Sequence, residues 1–274
     1  MIFRELPLER AIRLMRELGY EALELWPPQI AACRTDELRR RLADFARSLG
    51  LPVVRLNAAD ADYFAPLASD DLVSQVVDGL RRDIGVTISL GARQLLSWEG
   101  RPPAGASRAD LHGPILDRTT RAFEQALDYA KSKDVSISVE VHPFTLGIDL
   151  DWLIKLCDRL DPDRFGVTYD CCHFGVGMPD GYIEAIATLG PRIKHVHFSD
   201  SDTKSSELHF APGTGCLDLD GIVEALRRIQ FTGTMMLDLW LYPFPEDGTR
   251  AGVPYLSLVL ERLGLRPESQ GGQT

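Results

Sequence analysis

The chain has 274 residues, 45% hydrophobic and 26% charged, with a formal net charge of -10 and a pI near 5.1. That is enough for one large core, and its acidity argues against the phosphate contacts of a nucleic-acid binder. No apolar run approaches the ~18 residues of a membrane span, Arg4, Glu5 and Glu9 interrupt any secretory apolar segment, and five cysteines without a CxxC pair fit a reduced, cytoplasmic protein.

Helical and strand patterns alternate along the chain. Leu8, Ile12, Met15 and Leu18 fall at helical spacing, with Gly19 as the C-cap. Residues 21–26 (EALELW) read as a strand. Thr35 and Asp36 open a helix closed by Gly50, and 52–58 (PVVRLNA) is the next strand. Leu72–Leu90 is helical with a weak point at Gly85, 92–98 (ARQLLSW) is a strand, and a loop leads to the helix Ile115–Lys133. The strand SISVEV breaks at His142-Pro143. Asp149–Leu160 is helical, FGVTYD (165–170) is a strand, and Gly181–Leu189 is helical. IKHVHFS (193–199) is a strand, Leu219–Ile229 a helix, Gly233–Leu239 a strand and Val253–Leu263 the last helix. The composition of 265–274 predicts a polar, frayed tail behind a single domain, 1–264.

Seven strands, each followed by a helix, predict an α/β fold. Met1–Phe3 reads as the remnant of a first strand lying beside both the 21–26 and 233–239 strands. That completes a single (β/α)8 TIM-type barrel with a very short first strand. The competing fold is an open doubly wound sheet, but no GxGxxG opens a helix after a strand, so its dinucleotide version has no support.

Four successive strands deliver a metal-competent side chain at or near their C-terminal ends: Glu140, Asp170, His197 and Asp238. A carboxylate ending a buried apolar run is costly unless paired, and in a barrel those ends form the active-site face. Singly, each is as readily a polar group satisfied in its own loop; the register of all four carries the inference. Three carboxylates and one imidazole suit Mn²⁺ or Mg²⁺, with Co²⁺ or Zn²⁺ as further candidates, one ion in all.

The ordered set GYEALELW, SVEVHP, GVTYDCCHFG, IKHVHFSD, PGTGCLDLDGIVEAL and GTMMLDL resembles the sugar isomerase/epimerase superfamily with the xylose-isomerase-like barrel. That superfamily includes ketose 3-epimerases, inosose dehydratases and C-glycoside deglycosidases. The resemblance spans nearly the whole chain. It implies metal ligands at Glu140, Asp170 and His197, and at Asp238, where the family usually has Glu. It implies that His173, three residues after Asp170, contacts substrate oxygens. Where the epimerases carry a substrate-binding Arg soon after the metal-binding His, this chain reads SDSDTKSS, with Lys204 the base.

The implied chemistry is proton abstraction next to a sugar carbonyl through a metal-stabilised enediolate, with Glu140 and Asp238 as the acid/base pair. Asp238 is one methylene shorter than the family residue, which counts against a symmetric epimerase. Alternation places His142 on the same side as Glu140, and a second base there suits a lyase acting on an oxidised sugar or glycoside, of the dehydratase or deglycosidase type. Two remoter readings are an endonuclease of the apurinic-site type, for which the early strands supply Glu24 and Glu99 but no histidine, and a non-catalytic partner subunit. The expected partner is a small sugar or keto-sugar, with no nucleic acid or membrane, and a homo-oligomer or partner subunit is left open. Trp26, Trp98 and Trp240 near strand ends are read as a wall for a sugar face or aglycone, or as plain packing. His195 shares the direction of His197, and substrate contact is one reading of it. Cys171 and Cys172 read as lining residues, His209 as an exposed loop residue, and Glu207 and Asp218 as solvated.

Overall fold

The computed structural model describes residues 3–58 and 67–266. Its elements are α1 (Leu8–Glu17), β1 (Leu23–Leu25), α2 (Asp36–Ser48), β2 (Val53–Asn57), α3 (Asp70–Ser89), β3 (Gln94–Ser97), α4 (Leu116–Lys131), β4 (Ser136–Glu140) and α5 (Leu150–Asp158). There follow β5 (Phe165–Asp170), α6 (Cys171–Gly177), α7 (Tyr182–Leu189), β6 (Ile193–Phe198), α8 (Leu219–Arg228), β7 (Thr234–Leu237) and α9 (Pro245–Arg262).

All seven strands are parallel and pair in sequence order, β1 to β7. With helices between them they form a nearly closed TIM-type barrel. Side chains close it from within: Glu24 on β1 reaches His195 and His197 on β6, at 3.5 and 3.4 Å. Trp26 after β1 meets Trp240 after β7, with ring centroids 6.0 Å apart. Of the expected first strand, Met1 and Ile2 lie outside the described residues, and Phe3 is a buried turn residue with φ +63°. The tail 267–274 lies outside them too.

The lower barrel is polar. Arg55, 2% exposed, donates to Ser138 Oγ and Gln94 Oε1, both at 2.7 Å, and its Nε lies 3.3 Å from Glu24 Oε2. Burial pulls this guanidinium down to about 10, against the opposing pull of Glu24 and Glu140, so it stays charged and pairs with Glu24.

Three elements depart from the sequence reading. Helix α6 begins directly after β5, because Asp170 caps it by accepting the His173 backbone N–H at 2.8 Å. Its face carries no amphipathic period, since Cys171 through Gly175 are all buried. Helix α9 starts at Pro245 rather than Val253, with Pro245 in its first turn, and runs through Pro254. Helix α3 runs unbroken through Gly85.

Gly233, just before β7, packs against β6. A Cβ there would run into the backbone oxygen of Lys194 and the Phe231 ring. Gly233→Ala is expected to destabilise the fold by roughly 1–3 kcal/mol, the cost of overpacking against atoms that cannot give way. A shift in the urea midpoint at unchanged slope is the measurement; an unshifted midpoint would show that the β6–β7 junction relaxes freely.

Candidate active site

The ladder sets the register. Asp170 pairs with His197, and Phe198 with Leu237, which places Asp238 one residue beyond. Glu140 ends β4 opposite Thr168. The strand ends bring ligand atoms of Glu140, Asp170, His197 and Asp238 within 4.8 Å of one another. His197 Nδ1 stands 2.5 Å from Glu140 Oε1, 3.5 Å from Asp170 Oδ2 and 3.7 Å from Asp238 Oδ2.

Local bonds aim each group. Capping α6 commits Asp170 Oδ1, which leaves Oδ2 for the centre. Asp238 Oδ1 accepts the Trp240 backbone N–H at 3.0 Å, which turns Oδ2 inward. Glu140 Oε2 accepts the indole N–H of Trp98 at 3.1 Å and lies 3.3 Å from His142 Nε2. His142 is fixed by reciprocal bonds with Thr145, each 3.0 Å, and its ring lies on His173 with centroids 3.8 Å apart.

Burial alone would raise these carboxylates. Instead the charge of His197 holds Glu140 well below the usual range, and His173 and His209 hold Asp170 below it. His209 does the same for Asp238. Burial would lower the imidazoles, yet the surrounding carboxylates raise His197 and His209 well above their ordinary value. For His173, burial wins and pushes it down to about 4, a neutral ring near pH 7. The cluster therefore concentrates anionic charge that cations must meet. Asp170 Oδ2 and His197 Nδ1 are buried without an aligned hydrogen bond among the described residues. Three carboxylates and an imidazole brought together with two such atoms among them fit one divalent cation.

Above the centre lies a cavity of about 370 Å³, with Trp26, Trp98, Phe144 and Trp240 on its walls and His142 and His173 facing it. The basic residue at its mouth is Arg101, its guanidinium 4.3 Å from the Phe144 ring centroid. Lys204 is exposed and away from the cavity wall, its backbone N–H bound to Asp202 Oδ1 at 2.8 Å. His195 lies below the cavity, with Nδ1 2.7 Å from Thr234 Oγ1. Cys172 is buried, its Sγ 3.4 Å from Ser201 Oγ and from Ser205 O, and burial raises the Cys171 thiol well above its usual range.

Three residues do more than their sequence context indicated. His209, expected in the open, is 1% exposed, with Nδ1 3.0 Å from Asp238 Oδ2. Glu207 is exposed but lines the cavity and accepts the Trp240 indole N–H at 3.2 Å. Glu24 stands behind His197 and is held below the carboxylate range, since His197, His195 and Arg55 outweigh its burial. Its place between Leu23 and Leu25 on an apolar strand was a usable signal. Glu99, the other early acid, is buried under the loop after β4 and accepts the Gly147 N–H at 2.7 Å.

His173→Ala is expected to lower kcat/KM roughly tenfold, the worth of a lost neutral hydrogen bond, with metal content unchanged. Loss of metal from the variant, measured by elemental analysis, would make His173 a ligand instead.

A family model described as xylose isomerase-like TIM barrel matches residues 12–258. Fructoselysine 3-epimerase of Shigella flexneri is 21% identical over 248 residues, covering 86% of each chain. Among solved structures, the IolI protein with a bound zinc atom superposes with a TM-score of 0.78 at 18% identity, over 94% of both chains. D-psicose 3-epimerase from Clostridium cellulolyticum H10, solved with D-tagatose, gives 0.72 at 15%, over 92% of this chain and 93% of that one. An AP endonuclease, family 2, from Brucella melitensis also gives 0.72, at 17%, over 93% and 95%. Structural likeness at these identities is a likeness of fold. Among the described residues, no helix is long and apolar enough to cross a membrane.

Proposed function

The chain belongs to the xylose isomerase-like TIM barrel family, and from that premise we propose that it is a divalent-metal-dependent sugar isomerase or epimerase. It would remove the proton next to a carbonyl. The observation that carries this reading is the convergence of Glu140, Asp170, His197 and Asp238 within 4.8 Å at the floor of an aromatic-walled cavity. A divalent ion held by those four would supply Lewis acidity toward adjacent carbonyl and hydroxyl oxygens of a sugar. The remaining work belongs to the chain. Glu140 takes the proton, its Oε2 oriented by Trp98 and His142. His173, neutral, holds a substrate hydroxyl. The indole faces cover the sugar and exclude water. The epimerase name of the curated relative supports the same class.

A second reading, a lyase acting on a keto-sugar or keto-glycoside, is favoured by one observation. Both Asp238 oxygens are committed, Oδ1 to the Trp240 N–H and Oδ2 to the centre, where His209 Nδ1 stands 3.0 Å away. Asp238 thus serves the centre rather than the opposite face of a substrate, and the acid/base groups gather on the Glu140–His142 side.

The test is proton exchange. In D₂O with Mn²⁺, ketohexoses and 3-keto-glycosides are offered in parallel, and deuterium is expected at the carbon next to the carbonyl. A chelator should abolish the incorporation and Mn²⁺ restore it. An epimer or isomer as product supports the first reading, and an eliminated group the second. No deuterium in any substrate with the metal-loaded protein would overturn both.

A further inference from the structure

We propose that His209 is a second imidazole ligand of the metal, one that no motif assigns; this rests on the metal-centre reading above. The argument begins with the ring's far side. His209 Nε2 lies 3.2 Å from the backbone oxygen of Ser206. A carbonyl only accepts, so Nε2 carries the hydrogen, and the lone pair of the neutral ring is then on Nδ1. That atom faces two carboxylates, 3.0 Å from Asp238 Oδ2 and 3.8 Å from Asp170 Oδ2. A lone pair aimed at two anions is repelled unless a cation or a proton lies between them.

His197 presents Nδ1 in the same way, its far nitrogen held only by a longer contact. Its Nε2 is backed by Glu24 Oε1 at 3.4 Å, and its Nδ1 faces the same two oxygens at 3.5 and 3.7 Å. Metal-binding histidines characteristically present one nitrogen while the other donates to a carboxylate or carbonyl. Ligand atoms about 2.1 Å from a shared ion stand roughly 3–4.2 Å apart, and all four of these separations fit. Both imidazoles are 1% exposed, and His209 Nδ1, like His197 Nδ1, has no aligned hydrogen bond among the described residues.

The loop carrying His209 is built to hold it. The flanking Phe210 exchanges backbone hydrogen bonds with Asp200, at 2.9 and 3.0 Å. The Asp200 carboxylate accepts the backbone N–H groups of Gly213, Gly215 and Leu217 at 3.1, 2.8 and 3.0 Å. The His209 N–H itself donates to Trp240 O at 3.0 Å, which ties it to the segment that carries Asp238. Cys172, the other soft side chain nearby, is not a ligand. Its Sγ is ringed by the carbonyl oxygens of Ser205, Ser206 and Leu208 at 3.4, 3.9 and 3.7 Å, acceptors that draw it away from the centre.

A second imidazole changes which ion the site selects. Carboxylate-only surroundings favour Mg²⁺ and Mn²⁺, whereas imidazoles favour Zn²⁺, Co²⁺ and Cu²⁺. The inference is tested on the wild-type protein loaded with Cu²⁺ alone. Pulsed electron paramagnetic resonance counts the remote ring nitrogens of coordinated imidazoles, and two are expected. His209→Gln should reduce the count to one and weaken Zn²⁺ binding at least about tenfold more than Mn²⁺ binding, with thermal unfolding confirming the fold. One imidazole in the wild type would overturn the assignment and leave His209 as a proton-bearing brace for Asp238, the metal centre intact. No bound Cu²⁺, Zn²⁺ or Mn²⁺ would overturn both this inference and the metal-dependent function.

Discussion

Replacing Glu140 by Gln is expected to lower kcat by at least about 10⁴-fold, the upper range for losing a general base. Of the three carboxylates, Glu140 is the one whose second oxygen lies against cavity-lining side chains rather than a backbone N–H. Oε1 meets His197 Nδ1 at the centre, and Oε2 is held by the Trp98 N–H and stands beside His142 Nε2. Gln preserves the volume but presents an N–H₂ to one of those neighbours. If that group faces Trp98, two donors meet; if it faces His197, a metal-facing oxygen is gone. Saturating Mn²⁺ separates the cases, because a lost ligand is recovered by mass action and a lost base is not. The expected result is full metal content, measured directly, with turnover still absent. Recovery of turnover at high Mn²⁺ would reduce Glu140 to a ligand and move the proton-transfer role elsewhere.

How much of this was legible in the sequence depends on periodicity. Glu140, Asp170, His197 and Asp238 stood out because each lies at or near the end of a short apolar run, where a charged or polar residue is conspicuous. The parallel ladder then brings such residues to one end of the barrel. His142 was legible for the same reason. His209 was not, because a loop has no period. Its burial comes from the Asp200–Phe210 bridge and from an aspartate that gathers the following backbone N–H groups, contacts distant from one another in sequence. Helix α6 was hidden by the burial of Cys171 through Gly175, which removes the alternation of polar and apolar faces that marks a surface helix. Lys204 was singled out as the base in a stretch where the family carries one. The basic residue that lines the cavity is instead Arg101, from the segment after β3, far away in the chain.

The remaining question is which group takes the proton, and His142→Gln answers it. Two geometries are open to an imidazole 3.3 Å from a carboxylate oxygen. In one, His142 takes the substrate proton itself. In the other, it braces Glu140 Oε2 together with Trp98 and takes no proton. Its ring faces the cavity, tilted 35° against His173 and edge-on to Trp98 with centroids 5.7 Å apart, so both are sterically available. A working base is worth roughly 10²–10⁴ in kcat; a neutral brace is worth one hydrogen bond, roughly tenfold or less. With Asp238 Oδ1 bound by the Trp240 N–H and Oδ2 turned to the centre beside His209, the groups able to move a proton lie on the β4 side. With Glu140 as the base, the expected result is a kcat loss of about tenfold or less with metal retained; a loss within the larger range, with deuterium exchange lost in step with turnover, would make His142 the base. Elimination from a keto-sugar then becomes the better description of the reaction, because one-sided proton transfer suffices for it and epimerisation needs donors on both faces. Near-normal turnover in His142→Gln, alongside a dead Glu140→Gln with metal bound, would assign the proton to Glu140 and keep the isomerase reading ahead.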